Sequence, residues 1–187
     1  RYFTPAAMGK KKFQKRYQAP FAMKSHRKDE RNLLEEAKAN GFSLLFSREQ
    51  MERYQDKKGR VLGLFSKSGM PDGIEERDTI GNPKRTTPLL SEMTGKALKV
   101  LSSKGNKGFF LMVEAGQIDW AGHHNDVGTM LLEMVKLERT IKTILEWAKG
   151  RDDTLVVLTA DHETGGFGFA YSLYNVPGPK PPLAPKI

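Results

Sequence analysis

The chain contains no cysteine. Disulfides and thiolate metal sites are therefore excluded, and cysteine usage says nothing about the compartment in which the protein works. The sequence also lacks any apolar run near the roughly 18 residues that cross a bilayer, and any segment with the apolar core of a signal peptide. It begins with Arg1 rather than an initiator methionine. We therefore expect the chain to be a piece of a longer protein.

The composition is typical of a folded globular protein. Of the 187 residues, 38% are hydrophobic and 28% are charged. These proportions argue against a fibrous protein and against a wholly disordered chain. The length corresponds to one domain or slightly more.

Positive charge is concentrated in one terminal segment. The whole chain has a net charge of +9. Residues 1–31 contain ten basic and two acidic residues, a net charge of +8, so the remaining residues are nearly neutral. We interpret this segment as a solvated insertion and consider nucleic acid the less favoured partner. A nucleic-acid arm stays open as an alternative, because five aromatic residues that could stack on bases or form a small hydrophobic cluster interleave with the charges: Tyr2, Phe3, Phe13, Tyr17 and Phe21.

Hydrophobic periodicity and turn signals divide the chain into three parts. Residues 1–28 form a basic irregular segment, residues 29–174 form an α/β domain, and the proline-rich residues 175–187 form a loop or linker. The predicted helices cover 29–40, 47–54 (with Ser47 as N-cap), 87–101 (starting at Thr87-Pro88) and 126–148, the short predicted strands cover 42–46 and 61–65, and a long loop covers 66–86.

Two continuously apolar segments predict strands buried on both faces. They are Phe109–Val113 and Thr154–Thr159, and the long predicted helix 126–148 lies between them. Strand, helix and strand in this order predict a βαβ unit and a mostly parallel sheet. The apolar residues expected to form the core stripe of that helix are Val127, Met130, Leu131, Met134, Ile141, Leu145 and Ala148.

Acidic and histidine residues follow both of these apolar segments. Three of the four histidines fall in the windows 114–126 and 161–166. The carboxyl ends of parallel strands meet at one edge of a sheet, where ligands collect. Carboxylates and imidazoles bind zinc without thiolates, and oxygen-rich positions suit magnesium. The spacing of Asp119 and His123 places both on one face of a helical turn, so these windows predict a metal site.

The two windows resemble the metal-binding motifs of alkaline phosphatases. The segments VEAGQIDWAGHHND and TLVVLTADHETGGF carry the resemblance through their order and separation, and RYFTP at the start is similar to another stretch of that family. The resemblance is most specific over 109–168. It implies a three-layer α/β sandwich with a mostly parallel sheet, a periplasmic or secreted location, and a parent enzyme that could be a homodimer.

By this resemblance, the chain would contribute to two zinc sites and one magnesium site of a phosphomonoesterase that works through a phosphoserine intermediate. Trp120 would flank the phosphate pocket. Thr164 would lie near the second zinc and contact its ligands rather than the ion. His124 and Glu163 match no ligand position. The implied ligands are Asp119 and His123 for the first zinc, Asp161 and His162 for the second zinc, and Glu114 for magnesium.

The family's nucleophile motif, Asp-Ser-Ala, does not occur in the chain. Each implied zinc site also retains two of the family's three protein ligands. We therefore expect a fragment of an alkaline phosphatase that carries metal ligands without the serine and is inactive in isolation. Two alternatives stay open: a phosphodiesterase or sulfatase of the same superfamily, and a basic non-enzymatic module that binds nucleic acid or anionic surfaces.

Overall fold

The computed structural model describes residues 2–55, 59–103, 105 and 108–168, so the predicted proline-rich segment 175–187 lies outside the described residues. The described part contains helices and one pair of strands. In chain order these are α1 (Lys10–Tyr17), α2 (Leu33–Ala39), β1 (Phe42–Leu45), α3 (Arg48–Arg53), β2 (Arg60–Gly63), α4 (Gly73–Thr79), α5 (Leu90–Ser102), α6 (Gln117–His123) and α7 (Val127–Ala148).

The N-terminal segment contains a packed helix, which differs from the irregular structure expected over 1–28. Phe13 and Tyr17 of α1 are buried, and their rings pack on Phe46, which directly follows β1. Residues four apart lie on the same face of a helix, so this pair gives α1 one apolar face despite its many lysines. The lysines obscure this short helical signal in the sequence, and tertiary packing on Phe46 decides the conformation.

The two short predicted strands are present and pair in parallel. Phe42 lies opposite Arg60, and Leu45 lies opposite Gly63. Helix α3 connects them, and its predicted N-cap is confirmed because the Ser47 hydroxyl accepts a hydrogen bond from Gln50 N–H at 3.2 Å. This βαβ arrangement, surrounded by helices, confirms an α/β fold with a parallel sheet.

The two long apolar segments are extended but form no strand among the described residues, contrary to prediction. Phe110 is 88% exposed and Val157 is 73% exposed. A strand needs a neighbour that pairs with its backbone N–H and C=O groups, and β1 and β2 pair only with each other in the described part of the chain. The expected burial on both faces is therefore wrong for 109–113 and 154–159 in this structure.

Helix α7 begins where the sequence predicts, but it buries a different face. Asp126 caps it by accepting a hydrogen bond from Thr129 N–H at 3.0 Å. The buried residues are Thr129, Glu133 and Thr140, whereas Leu131 of the expected core stripe is 51% exposed. Glu133 is buried because α4 packs against this part of the polar face through charged side chains. The predicted core stripe is thus corrected: much of it faces outward in the described structure.

A buried ion cluster joins α7 to α4, a helix that lies inside the predicted loop 66–86. Lys136 Nζ lies 3.0 Å from Glu133 and 3.3 Å from Glu76, and it donates a hydrogen bond to the Pro71 carbonyl at 3.0 Å. Burial raises the pKa of Glu133, although Lys136 opposes this shift. At Gly73, an added Cβ would lie closer than 3.0 Å to Leu132, so glycine permits the close approach of the two helices.

Two helix starts also differ from prediction. Helix α2 starts at Leu33 with Asn32 as its N-cap, four residues later than expected. Helix α5 starts at Leu90 rather than at Thr87-Pro88. Its first turn is set by Glu92, whose carboxylate accepts a hydrogen bond from Leu89 N–H at 2.9 Å and forms ion pairs with Arg85 and Arg48. These partners, one of them remote in the chain, explain the shift, because local spacing does not reveal them.

Replacing Glu92 with glutamine is expected to destabilise the protein by about 1.5–3 kcal/mol at pH 7, because the charge-assisted hydrogen bonds are lost. Burial opposes ionisation of Glu92, but the hydrogen bonds from Leu89 and Arg85 outweigh it and lower the pKa. The stabilisation is present above the unfolded-state pKa and is lost as pH falls through the lower folded-state pKa. Urea unfolding at pH 7 and at progressively more acidic pH measures both effects.

The matched control is Glu49→Gln, which removes an exposed carboxylate paired with Arg53 on α3. We expect a change of at most about 1 kcal/mol for it. Equal losses in the two variants, or a Glu92→Gln effect that does not shrink in acid, would contradict the assignment of the buried network.

None of the helices in the described ranges combines the length and the hydropathy needed to cross a membrane.

Candidate metal centre

Helix α6 presents the first pair of candidate ligands. Asp119 and His123 lie one turn apart, with 3.5 Å between Asp119 Oδ2 and His123 Nε2. Both side chains are partly exposed, so they remain accessible to an ion from solvent. Glu114 lies just before α6, and its carboxylate lies next to the backbone of Gly116. The predicted arrangement of Asp119 and His123 on one face of a helix is therefore present.

The loop 161–166 lies directly against α6. Thr164 Oγ1 donates a hydrogen bond to Asp119 Oδ1 at 2.6 Å, across 45 positions of the chain. Gly165 has a φ of +82°, and a Cβ there would lie closer than 3.0 Å to the Gly122 carbonyl oxygen. Glycine is required at this position both for the left-handed backbone and for the close approach. The two windows thus meet through Thr164 and this glycine contact.

The second pair of candidate ligands lies on the same loop. His162 Nε2 is 3.5 Å from Asp161 Oδ2, and His162 Nδ1 is 3.1 Å from Thr164 Oγ1. A contact of 3.0 Å between His162 Nδ1 and the Glu163 carbonyl oxygen raises the pKa of His162, and the negative charge of Asp161 raises it further. The Thr164 hydroxyl therefore contacts one member of each pair, Asp119 and His162.

The donor set fits hard or borderline cations. Each pair combines one carboxylate and one imidazole, a chemistry that zinc accepts. The described residues nevertheless contain no group of three or more acidic or histidine side chains gathered closely enough to hold an ion. Chemically, the arrangement consists of two adjacent half-sites joined by a hydroxyl, with Glu114 beside the helix start.

Comparison with known proteins decides the family. A sequence model of the family described as alkaline phosphatase matches residues 7–184, almost the whole chain. The chain belongs to the alkaline phosphatase family.

Several alkaline phosphatases share substantial identity with the chain. Alkaline phosphatase 3 of Bacillus subtilis is 44% identical over 150 residues, covering 80% of this chain and 30% of the relative. Alkaline phosphatase of Escherichia coli is 33% identical over 149 residues, covering 71% and 31%. The chain thus spans about a third or less of the length of these curated relatives.

Solved alkaline phosphatases share the fold. The enzyme from the Antarctic bacterium TAB5 superposes with a TM-score of 0.63 at 34% identity, covering 78% of this chain and 40% of the other. A variant of the TAB5 enzyme was solved with magnesium bound. The likeness to these structures extends the α/β assignment beyond the short sheet of β1 and β2.

Three features of this alkaline phosphatase chain were not identified from sequence. Gln117 donates a hydrogen bond from Nε2 to the Met70 carbonyl at 2.6 Å, and Trp120 packs beside Gly69. Segment 69–71 therefore lies along α6 and covers part of the indole, which remains 54% exposed. The third feature is the contact of Gly122 with Gly165. The glycine pair in DHETGG is the sequence signal that could have indicated a close approach of the backbone there.

Proposed function

We propose that the chain supplies metal ligands to the active centre of a phosphomonoester hydrolase. The observation that carries this proposal is the Thr164 hydroxyl, which joins Asp119 of one motif to the loop of the other at 2.6 Å. This hydrogen bond supports two neighbouring ion sites beside α6. The family membership supports the substrate class, a phosphate monoester.

The proposed zinc ligands are Asp119 with His123 and Asp161 with His162. When bound, zinc supplies Lewis-acid stabilisation of negative charge on phosphoryl oxygens. The role of Thr164 is orientation: its hydroxyl engages Asp119 Oδ1 and leaves Oδ2 directed toward His123. Such supporting hydrogen bonds orient ligands and tune metal affinity.

Magnesium is proposed for the Glu114 side of the centre. The TAB5 variant with bound magnesium supports this cofactor for the family, and a carboxylate is a suitable magnesium ligand. Trp120, half exposed beside segment 69–71, is proposed to flank the phosphate pocket. The family membership also supports a periplasmic or secreted location.

The chain on its own is proposed to be inactive, because no Asp-Ser-Ala nucleophile motif occurs in it. We expect no hydrolysis of p-nitrophenyl phosphate above buffer when zinc and magnesium are added. A longer enzyme that includes the chain and a serine nucleophile should hydrolyse this substrate. Turnover by the 187-residue chain that Asp161→Ala abolishes would contradict the proposal that the chain is inactive on its own.

Adjacent histidines provide a matched control for the ligand assignment. In the longer enzyme, His123→Ala should lower kcat/KM and zinc affinity by about tenfold or more, whereas His124→Ala should change both little. The two residues share a helix end, so a merely structural effect would appear in both variants. Equal losses would remove His123 from the ligand set.

A further inference from the structure

Helix α1 carries a group of lysines that the proposed phosphatase site does not use. This α1 lysine patch consists of Lys10, Lys11, Lys12 and Lys15, all exposed. The apolar residues Phe13 and Tyr17 of the same helix face inward. The patch is therefore an ordered cationic surface on a packed helix, rather than part of the solvated loop expected from sequence.

The charges of the patch are uncompensated, unlike those of the neighbouring arginines. Arg16 pairs with Glu35 at 2.9 Å, and Arg27 and Arg31 each pair with a carboxylate at 2.5 Å. Within the described ranges, none of the four patch lysines lies within ion-pair distance of a carboxylate, and the first turn of α1 contains no acidic residue. Lys10, Lys11 and Lys12 lie in the first turn of α1, where positive charge opposes the helix dipole, so helix stability does not explain their placement. Lys15 lies in the last turn, where its charge is favourable.

We propose that the α1 lysine patch binds the phosphodiester backbone of duplex nucleic acid without reading its sequence. Eight helical residues extend about 12 Å. A duplex carries one phosphate per about 1.7 Å of axis, so about seven phosphates lie within that length. Lys11, Lys12 and Lys15 lie within about 100° of one another around the helix axis, on the side away from the buried rings. These three ammonium groups, and Lys10 if its side chain reaches round, meet fewer charges than the duplex offers along this length.

The packing of the aromatic residues in α1 and next to it argues against single strands as the preferred partner, while Tyr2, outside α1, is 60% exposed. Phe13 and Tyr17 are buried against Phe46, and Phe21 lies 6.0 Å from Phe13 between ring centroids. Buried rings cannot stack on unpaired bases, which is the main source of affinity for single strands. Because its apolar side chains face inward, α1 also presents no large apolar group that would anchor it in a lipid surface.

Salt-dependent binding tests this proposal. Fluorescence anisotropy with a labelled 30-base-pair duplex of arbitrary sequence should give a slope of log K against log salt between about −2.7 for three contacts and about −3.6 for four. Binding should then be about 40- to 150-fold weaker at 200 mM than at 50 mM salt. The fourfold variant K10Q/K11Q/K12Q/K15Q should lose this binding and its salt slope. The control K84Q/K99Q/K142Q/K149Q removes the same charge from exposed positions elsewhere and should retain both.

Each outcome decides the proposal. Retained binding in the patch variant, equal loss in the control, or no duplex binding at 20 mM salt would overturn it. Tighter binding to the corresponding single strand, or to vesicles containing anionic phosphatidylserine, would assign the patch to another partner and also overturn it. Urea unfolding of both variants verifies that lost binding does not reflect lost folding.

Discussion

Replacing Lys136 with methionine is expected to lower the free energy of unfolding by about 3–5 kcal/mol at pH 7. Methionine keeps a long unbranched side chain but leaves the buried Glu133 without an ion-pair partner, while Glu76 keeps only the longer ion pair with Arg139 at 3.6 Å. The hydrogen bond to the Pro71 carbonyl is lost as well. The free energy of unfolding of a domain is commonly only about 5–15 kcal/mol, so this one substitution removes a large part of it. Urea unfolding followed by circular dichroism measures it.

Acid should reduce the penalty, because burial raises the pKa of Glu133 and protonation of that carboxylate removes its unpaired charge. The difference between the wild-type protein and Lys136→Met should therefore be larger at pH 7 than at pH 5. Lys142→Met on the exposed side of the same helix is the matched control, with an expected change below about 0.5 kcal/mol. Similar effects of the two substitutions would show that the buried cluster does not stabilise the contact of α4 with α7.

Replacing Gly165 with alanine is expected to separate the loop 161–166 from α6. The new methyl group would overlap the Gly122 carbonyl oxygen, and that carbonyl belongs to helix backbone that cannot move freely. Separation breaks the hydrogen bond from Thr164 to Asp119, so zinc affinity should fall about 10–100-fold. Isothermal calorimetry measures the affinity, and hydrogen exchange of the amides in α6 reports the loss of contact directly.

Gly166→Ala is a matched control for this experiment. Gly166 also has a positive φ, +65°, but no atom lies within 4 Å of an added Cβ. Both substitutions therefore carry backbone strain of about 1–2 kcal/mol, and only Gly165→Ala adds the collision with α6. If the two variants lose zinc affinity and exchange protection equally, the glycine contact does not hold the two motifs together.

Local signals predicted several elements correctly. Ser47 is the N-cap of α3 and α7 covers the predicted helix 126–148, and the short apolar runs at 42–46 and 61–65 correspond to β1 and β2. Each of these depends on residues within one turn or on a single short strand. The segments 109–113 and 154–159 show the limit of the same reasoning, since strand pairing needs a partner that apolarity alone does not provide.

The residues of the candidate site and the placement of Asp119 and His123 on one helix face were predictable, but the contacts that join the site to other segments were not. Residue types and their spacing are sufficient to identify Asp119, His123, Asp161 and His162 as candidate ligands. Their assignment to particular ions stays a prediction. No local pattern indicates that segment 69–71 lies along α6, because that contact depends on Gln117 and on a backbone carbonyl remote in the chain.

The two windows of candidate ligands follow from the amino-acid sequence alone, because they depend on residue types at short spacing, and the family follows from the resemblance of these windows to its motifs. Three-dimensional packing was needed to establish that the basic segment is partly a packed helix, that α7 buries its charged face, and that Thr164 and Gly165 join the two windows. Those outcomes depend on which surfaces meet. Lys136 stabilises the packing of α7 because it contacts Glu76, which is remote in the chain. Gly165 is required because it contacts the Gly122 carbonyl, which is also remote in the chain.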